Sequence, residues 1–292
     1  MARSNTVAAR AEELLGKAVA ATAPIAGGDI CVATRLRLSD GTSAVIKTLA
    51  NAPADFFGAE ADGLRWLGAT TSSGGVAVPE VLAVDQDCLI VAFVEPGKPT
   101  VESAEAFGRA LAATHQAGAE TFGAATNGYI GALPMLNRPC DSWAEFYATR
   151  RLLPYLKLAV DRGGIGTADA AALEEVARRL PDLAGEPEPP SRIHGDLWSG
   201  NVLWGTESAW VIDPAAHGGH RETDLAMLAL FGLRNLAQLL AAYDEAYPLA
   251  DGWRDRVGLH QLFPLLTHAT HKHGGGAYGA RAGEVARRLL AS

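Results

Sequence analysis

The chain has 292 residues, enough for one large domain or two lobes around a buried core, and its 48% hydrophobic and 20% charged residues argue against extended disorder. A formal net charge of −8 with no Lys/Arg run gives no surface for nucleic acid or anionic lipid, so neither is expected as a partner. Cys31, Cys88 and Cys140 form no CxxC pair, which suits reduced thiols better than a disulfide framework.

The opening stretch carries Glu12 and Glu13 and lacks a continuous apolar core, so it does not read as a secretory signal. No apolar run approaches the roughly 18 residues that a membrane helix needs. A soluble cytoplasmic protein is expected. Oligomeric state is not legible.

Val7, Ala11, Leu14, Leu15 and Ala18 predict an amphipathic first helix. A β-hairpin follows. Ile30, Val32, Thr34, Leu36 and Leu38 alternate with Arg35 and Arg37, "SDGT" supplies an Asp-Gly turn, and "AVIKTL" returns. Phe57, Ala61, Leu64 and Leu67 give helical spacing, and "PEVLAVD" and "CLIVAFVE" read as two further strands. "EPGKPT" then breaks the pattern. Downstream, helices are expected over 103–118, 142–160, 168–180, 224–247 and 256–272, with a proline-rich surface loop at 181–191. The division is a strand-rich lobe over 1–95, a hinge over 96–100 and a helical lobe over 101–292. Ligands favour the cleft between such lobes.

Several polar residues sit against this pattern. Lys47 lies in an otherwise apolar strand; taken alone it is an edge lysine whose amine reaches solvent. Glu60 falls on the buried stripe of its helix, where a lone carboxylate is costly and needs a cation. Each can satisfy the other. "HGDLWSGN" (194–201) fits the catalytic-loop template H-x-D-L-x-x-x-N of protein kinases, and Asp213 ends a short apolar strand in "AWVIDPAAHGG". The ordered set Lys47, Glu60, Asp196, Asn201 and Asp213 points to phosphoryl transfer, which needs placement and charge compensation more than covalent chemistry. Lys47, steadied by Glu60, would hold the α- and β-phosphates of ATP. Asn201 and Asp213 would offer hard oxygens to Mg²⁺, and Asp196 would take the proton of the attacking hydroxyl. Gly27 and Gly28 in "AGGDIC" would cover the phosphates, although a glycine pair more often marks a plain turn. No G-x-x-x-x-G-K-[ST] occurs, which excludes a P-loop NTPase, and no G-x-S-x-G supports an α/β-hydrolase.

With these residues in place, the chain resembles the fructosamine kinase (ketosamine-3-kinase) family, whose fold is shared with aminoglycoside and choline kinases. "HGDLWSGN", "DPAAHGGHRETDLAMLALFG" (213–232), "NGYIG" (127–131), "WAEFYATRRLLPYL" (143–156), Gly-Gly-x-Ile at 27–30 and "GAYG" (276–279) carry the resemblance over nearly the whole chain. It implies an α+β, bilobal protein-kinase-like fold with a small antiparallel-sheet N-lobe and a larger, mainly helical C-lobe. It also implies ATP-dependent phosphorylation of the sugar 3-hydroxyl of small or protein-bound ketosamines, of ribulosamine, erythrulosamine or fructosamine type, leading to deglycation. By position, the backbone of Ala92, Phe93 and Val94 would meet adenine, Trp198 would line the sugar pocket, and Asp224 would hold the catalytic loop. The chain departs from the pattern at Asp29, where many members carry cysteine and Cys31 lies two residues later. Ala92 replaces an acidic hinge residue, and Met135 stands where glutamine is common.

The alternative is an enzyme of the same fold acting on an aminoglycoside, choline or another alcohol. A non-catalytic nucleotide-binding scaffold would lack a base or metal ligand, and none is missing. His268, His271 and His273 could ligate zinc, but no nearby carboxylate completes such a site. His194 and His115 are expected to serve as structural hydrogen-bonding residues.

Overall fold

The computed structural model describes residues 2–26, 30–205, 209–271 and 275–291. Helix α1 (Ala2–Leu15) leads into a five-stranded antiparallel sheet of β1 (Val19–Pro24), β2 (Val32–Leu38), β3 (Ser43–Thr48), β4 (Val81–Asp85) and β5 (Cys88–Ala92). The strand order is β1-β2-β3-β5-β4, with helix α2 (Phe56–Gly68) inserted between β3 and β4. Ala18, expected in the first helix, lies beyond its end. Strand β1, whose Ala-rich sequence gives no alternation to detect, pairs along β2.

Strand alternation decides where Lys47 goes. Ala44 and Ile46 point to the face covered by α1, where they join Ala11, Leu36, Leu38 and Ile90 in one core cluster. Val45 faces the opposite side, where Phe56, Phe57, Ala61 and Leu64 of α2 pack on Leu89 and Val91. Lys47 shares the Val45 face by period two. It is directed towards α2, not out to solvent.

From Phe93 to Thr100 the chain has no regular structure, and then α3 (Val101–Gln116) starts on a capping box between Thr100 and Ser103. A short hairpin, β6 (Gly128–Ile130) and β7 (Leu133–Met135), precedes α4 (Trp143–Phe146), a π-helical turn (Tyr147–Leu152) and α5 (Leu153–Asp161). Next come α6 (Thr167–Arg178), α7 (Leu180–Leu183), β8 (Ser191–Ile193), β9 (Val202–Trp204), β10 (Ala209–Val211), β11 (His217–Gly219) and α8 (Glu222–Phe231). The chain ends with α9 (Leu236–Ala246), α10 (Trp253–Ala269) and α11 (Gly275–Ala291). One helix was expected over 224–247. The structure has two, because Gly232 (φ 76°) and Asn235 (φ 60°) adopt left-handed backbone that a helix cannot continue through. Helix α11 was not expected; its Ala- and Gly-rich start hides the apolar stripe of Ala282, Val285 and Ala286. No helix among the described residues is long and apolar enough to cross a membrane.

Gly108 shows how tightly the helical part is packed. A Cβ there would sit 2.2 Å from the Leu239 carbonyl oxygen of α9. Gly108→Ala gains about 1 kcal/mol of helix propensity but forces α3 and α9 apart, and overpacking of this kind costs about 1–3 kcal/mol or more. Net destabilisation is the expected outcome, seen as a lower denaturant midpoint; an equal or higher midpoint would contradict the close approach.

Candidate active site

Two short ladders frame the segment from His194 to Asp213. Pairing of Ile193 with His217 closes one end, and pairing of Val202 with Val211 closes the other. Asn201 and Ile212 therefore face each other where β9 and β10 begin and end, and the Ile212 amide donates to the Asn201 carbonyl at 3.1 Å. Asp213 follows immediately with φ 55°, a left-handed conformation that Asp tolerates better than most side chains and that turns its carboxylate away from the strand line. Twelve residues of sequence separation thus shrink to a hairpin's width.

The Asp213 carboxylate meets the sheet. Lys47 Nζ donates to Asp213 Oδ1 at 2.7 Å and to Glu60 Oε1 at 2.6 Å. Burial works against the Lys47 charge, but the two carboxylates outweigh it and hold its pKa above the ordinary lysine range. Burial lifts Glu60, beyond what the ammonium offsets. Gly63 brings α2 within van der Waals range of the turn after Asp213, since a Cβ there would lie 3.2 Å from Pro214 Cγ. At the start of α2, the Tyr129 hydroxyl donates to Asp55 Oδ1 at 2.5 Å and its ring packs 5.0 Å from that of Phe56. This second tie between α2 and the helical part is not legible in the sequence. A tyrosine and an aspartate 74 residues apart share no local pattern.

The loop over 194–201 is held from beneath. Asp224, fully buried, accepts from the amides of His194 (2.7 Å) and Gly195 (2.9 Å), and lies 3.2 Å from His115 Nε2. Burial opposes its charge, yet those bonds and the nearby imidazoles keep its carboxyl below the usual range. His194 accepts from the Asp196 amide through Nδ1 (3.2 Å) and so carries its proton on Nε2, which donates to the Ile212 carbonyl (2.9 Å). Burial depresses the pKa of that ring, keeping it neutral. Gly195 (φ 80°) packs where a Cβ would strike the Ala215 carbonyl at 2.3 Å. Asn201 Nδ2 donates to the Asp196 carbonyl (2.8 Å) and carboxylate Oδ2 (3.1 Å), leaving its own Oδ1 for a ligand. Burial pushes the Asp196 carboxyl up to about 7, with Asp213 and Asp224 adding to the effect and Asn201 opposing it.

Lys47, Glu60, Asp196, Asn201, Asp213, Trp198, Ala92, Phe93 and Val94 all line one cleft of about 1910 Å³. The apolar side chains of Ala33, Val45, Leu203 and Ile212 line the same cleft. On its wall the Ala92 amide donates to the Glu80 carbonyl (2.8 Å) and the Phe93 amide to that of Ser43 (3.2 Å). Trp198 lies over Gly200, where a Cβ would meet its ring at 2.3 Å, and stands 5.9 Å from Phe231. Met135, which also borders the cleft, is fully buried. Gly27, Gly28 and Asp29 lie outside the described residues, as does His273 of the considered zinc set. Among the described residues, the cluster compact enough to hold a metal is instead His220, Glu222 and His260, and it is not on the cleft wall. Arg256 already occupies Glu222 there with bonds of 2.6 and 3.0 Å.

An ammonium between two carboxylates, beside a partly exposed carboxylate and a carboxamide oxygen, suits a metal-bound polyphosphate: oxygen donors for a hard divalent cation and a fixed cation for the phosphates. The sequence model of the fructosamine kinase family matches residues 3–292. The chain belongs to the fructosamine kinase family. The kinase is 34% identical to a probable ketoamine kinase of Thermus thermophilus, over 88% of this chain and 90% of that one. It is 33% identical to a probable ketoamine kinase of Escherichia coli K12, over 91% of each. The crystal structure of a presumed fructosamine-3-kinase of Thermobifida fusca superposes with a TM-score of 0.92 at 51% identity, covering 99% of each chain. A macrolide 2′-phosphotransferase matches with a TM-score of 0.61 at 20% identity, over 97% and 96% of the two chains, which shows the kinase-like fold alone. The protein is a phosphotransferase enzyme of that fold, with an antiparallel sheet in its N-terminal part and a helical remainder.

Proposed function

We propose that this kinase transfers the γ-phosphoryl group of ATP to the 3-hydroxyl of a ketosamine sugar, and that breakdown of the 3-phosphate then releases the amine. The observation that carries the reading is Lys47 Nζ held between Glu60 and Asp213 in the same cleft as Asp196 and Asn201. Residues 1–95 act as the nucleotide lobe, 96–100 as the connection and 101–292 as the acceptor lobe. Adenine enters the cleft against Ala92, Phe93 and Val94. Because the Ala92 and Phe93 amides are spent on Glu80 and Ser43, the Val94 amide is the donor left to meet its edge. Lys47 binds the α/β-phosphates, and Glu60 keeps the ammonium from swinging away. Asn201 Oδ1 and Asp213 would hold Mg²⁺, which when bound compensates the charge on the phosphates. Asp196 orients the acceptor hydroxyl and takes its proton as that oxygen bonds to phosphorus, while the bond to the ADP oxygen breaks. Trp198 packs on the sugar. The reading involves no nucleic-acid or membrane partner, and the site chemistry suits a cytoplasm that supplies ATP.

The test is ATP consumption against ribulosamines, erythrulosamines and fructosamines, free and protein-bound, with aminoglycosides and choline alongside and Asp196→Asn as the blank. Turnover confined to ketosamines is expected. Turnover confined to aminoglycosides or choline would overturn the acceptor assignment, and no turnover with any alcohol would overturn the mechanism.

A further inference from the structure

Helix α2 carries Glu60, yet the polar bonds at its two ends are made to the helical part and not to the sheet. Asp55 sits at its N-cap, where an aspartate ordinarily accepts from the amides of its own helix; it makes no such bond. Its carboxylate instead accepts from the hydroxyl of Tyr129, in β6, at 2.5 Å. At the other end the Thr70 amide, which would complete the helical pattern on Trp66, turns to the Leu67 carbonyl (3.1 Å). The Trp66 carbonyl is taken by Arg192, in β8, whose Nη1 donates to it at 2.6 Å while the guanidinium lies 4.5 Å from the centre of the Trp66 ring. Strand β8 runs straight on into the loop at His194. The close approach of Gly63 to Pro214 lies between the two ties.

The sheet holds α2 differently. Apart from the Lys47–Glu60 pair, the contact is apolar, with Phe56, Phe57, Ala61 and Leu64 on Leu89 and Val91. Apolar burial keeps the helix on the sheet but supplies no directional bond to set its position along it. Glu60 lies about 7.5 Å along the axis from Asp55 and about 9 Å from Trp66, so a shift at either end is carried through the helix to its carboxylate. A displacement of about 1 Å takes the 2.6 Å bond to Lys47 out of hydrogen-bonding range unless the ammonium leaves Asp213 to follow. Resting on the reading of Lys47 as the cation for the ATP phosphates, we infer that Tyr129 and Arg192 are positioning residues: they clamp α2 to the helical part at both ends, so that Glu60 and Asp213 hold the Lys47 ammonium in place before ATP arrives. With one tie removed, α2 populates displaced positions. ATP favours the aligned one, restores it on binding, and binds more weakly by the population lost.

The experiment titrates the full chain with a non-hydrolysable ATP analogue and Mg²⁺ by calorimetry, and sets the Kd beside steady-state kinetics. In Tyr129→Phe and in Arg192→Met the Kd should rise about fivefold, the scale of one bond to a charged group at a part-exposed site. At saturating ATP, kcat and the acceptor KM should stay within about twofold of wild type, because bound nucleotide restores the alignment. Arg192→Lys, which keeps a donor for the Trp66 carbonyl, should recover part of the affinity. In a Glu60→Ala background, where no carboxylate is left to place, neither substitution should weaken binding further. A variant that is merely less stable loses affinity in both backgrounds alike, so the comparison separates placement from folding. Unchanged Kd in either variant, the same rise in the Glu60→Ala background, or a rise confined to the acceptor KM would overturn the inference while leaving the role of Lys47 intact. If Lys47→Met binds the analogue as tightly as wild type, the nucleotide reading falls and this inference with it.

Discussion

Asp196→Asn is expected to lower kcat by about 10³-fold, within the span assigned to a positioned general base, while ATP affinity changes little. The substitution keeps the shape of the side chain and the loop bonds beneath it, because His194 and Asn201 also bind the Asp196 backbone. It removes the group able to accept a proton. The same change should raise the stability of the metal-free protein. A carboxyl whose folded pKa is lifted to about 7 binds its proton more tightly folded than unfolded. The stability this provides is complete below the unfolded value near 3.8 and is lost as pH rises through 7. Asp196→Asn and wild type should therefore unfold with similar midpoints at low pH and separate in favour of the variant towards pH 8. Unaltered kcat, or a variant less stable at pH 8, would remove Asp196 from the role of buried base.

Lys47→Met should reduce kcat/KM for ATP by about 10²–10³-fold, the effect typical of deleting one fixed charge or donor at a transferring group. It should also cost stability. Breaking a buried ion pair by removing one partner costs about 3–5 kcal/mol, because the other charge is stranded. Here the loss should fall near the lower end: Glu60, already lifted by burial, can take a proton, and the Asp213 side chain is 41% exposed to water. Glu60→Gln should be milder on both readouts, since Lys47 retains Asp213. Steady-state kinetics and denaturant midpoints measure the two effects. If Glu60→Gln proves more damaging than Lys47→Met, the pair does not act through the ammonium.

Much of this architecture is written locally. The Asp-Gly turn, the alternation of Leu36 and Leu38 with the arginines, and the stripe of Phe57, Ala61 and Leu64 each depend on a few neighbouring residues, so hairpin and helix were legible. Strand β1, the break at Gly232 and helix α11 were not. Alanine and glycine carry little periodic signal, and what fixes those segments is the partner they pack on. The family resemblance reached farther than periodicity because motifs such as "HGDLWSGN" combine backbone and side-chain demands in one short run: Gly195 for the turn, Gly200 beneath the Trp198 ring, and Asp196 and Asn201 bonded to each other.

By itself the sequence determined which chemical groups are available, namely one strand lysine, one misplaced helix glutamate, and the Asp-Asn-Asp set of the catalytic segments. Only the tertiary structure decided that Lys47 lies 2.7 Å from Asp213 and that Tyr129 ties α2 to the helical part. The reason is range. Residue type and spacing act over one turn or one hairpin, whereas convergence of residues up to 166 positions apart depends on how sheet and helices pack, which no single stretch encodes.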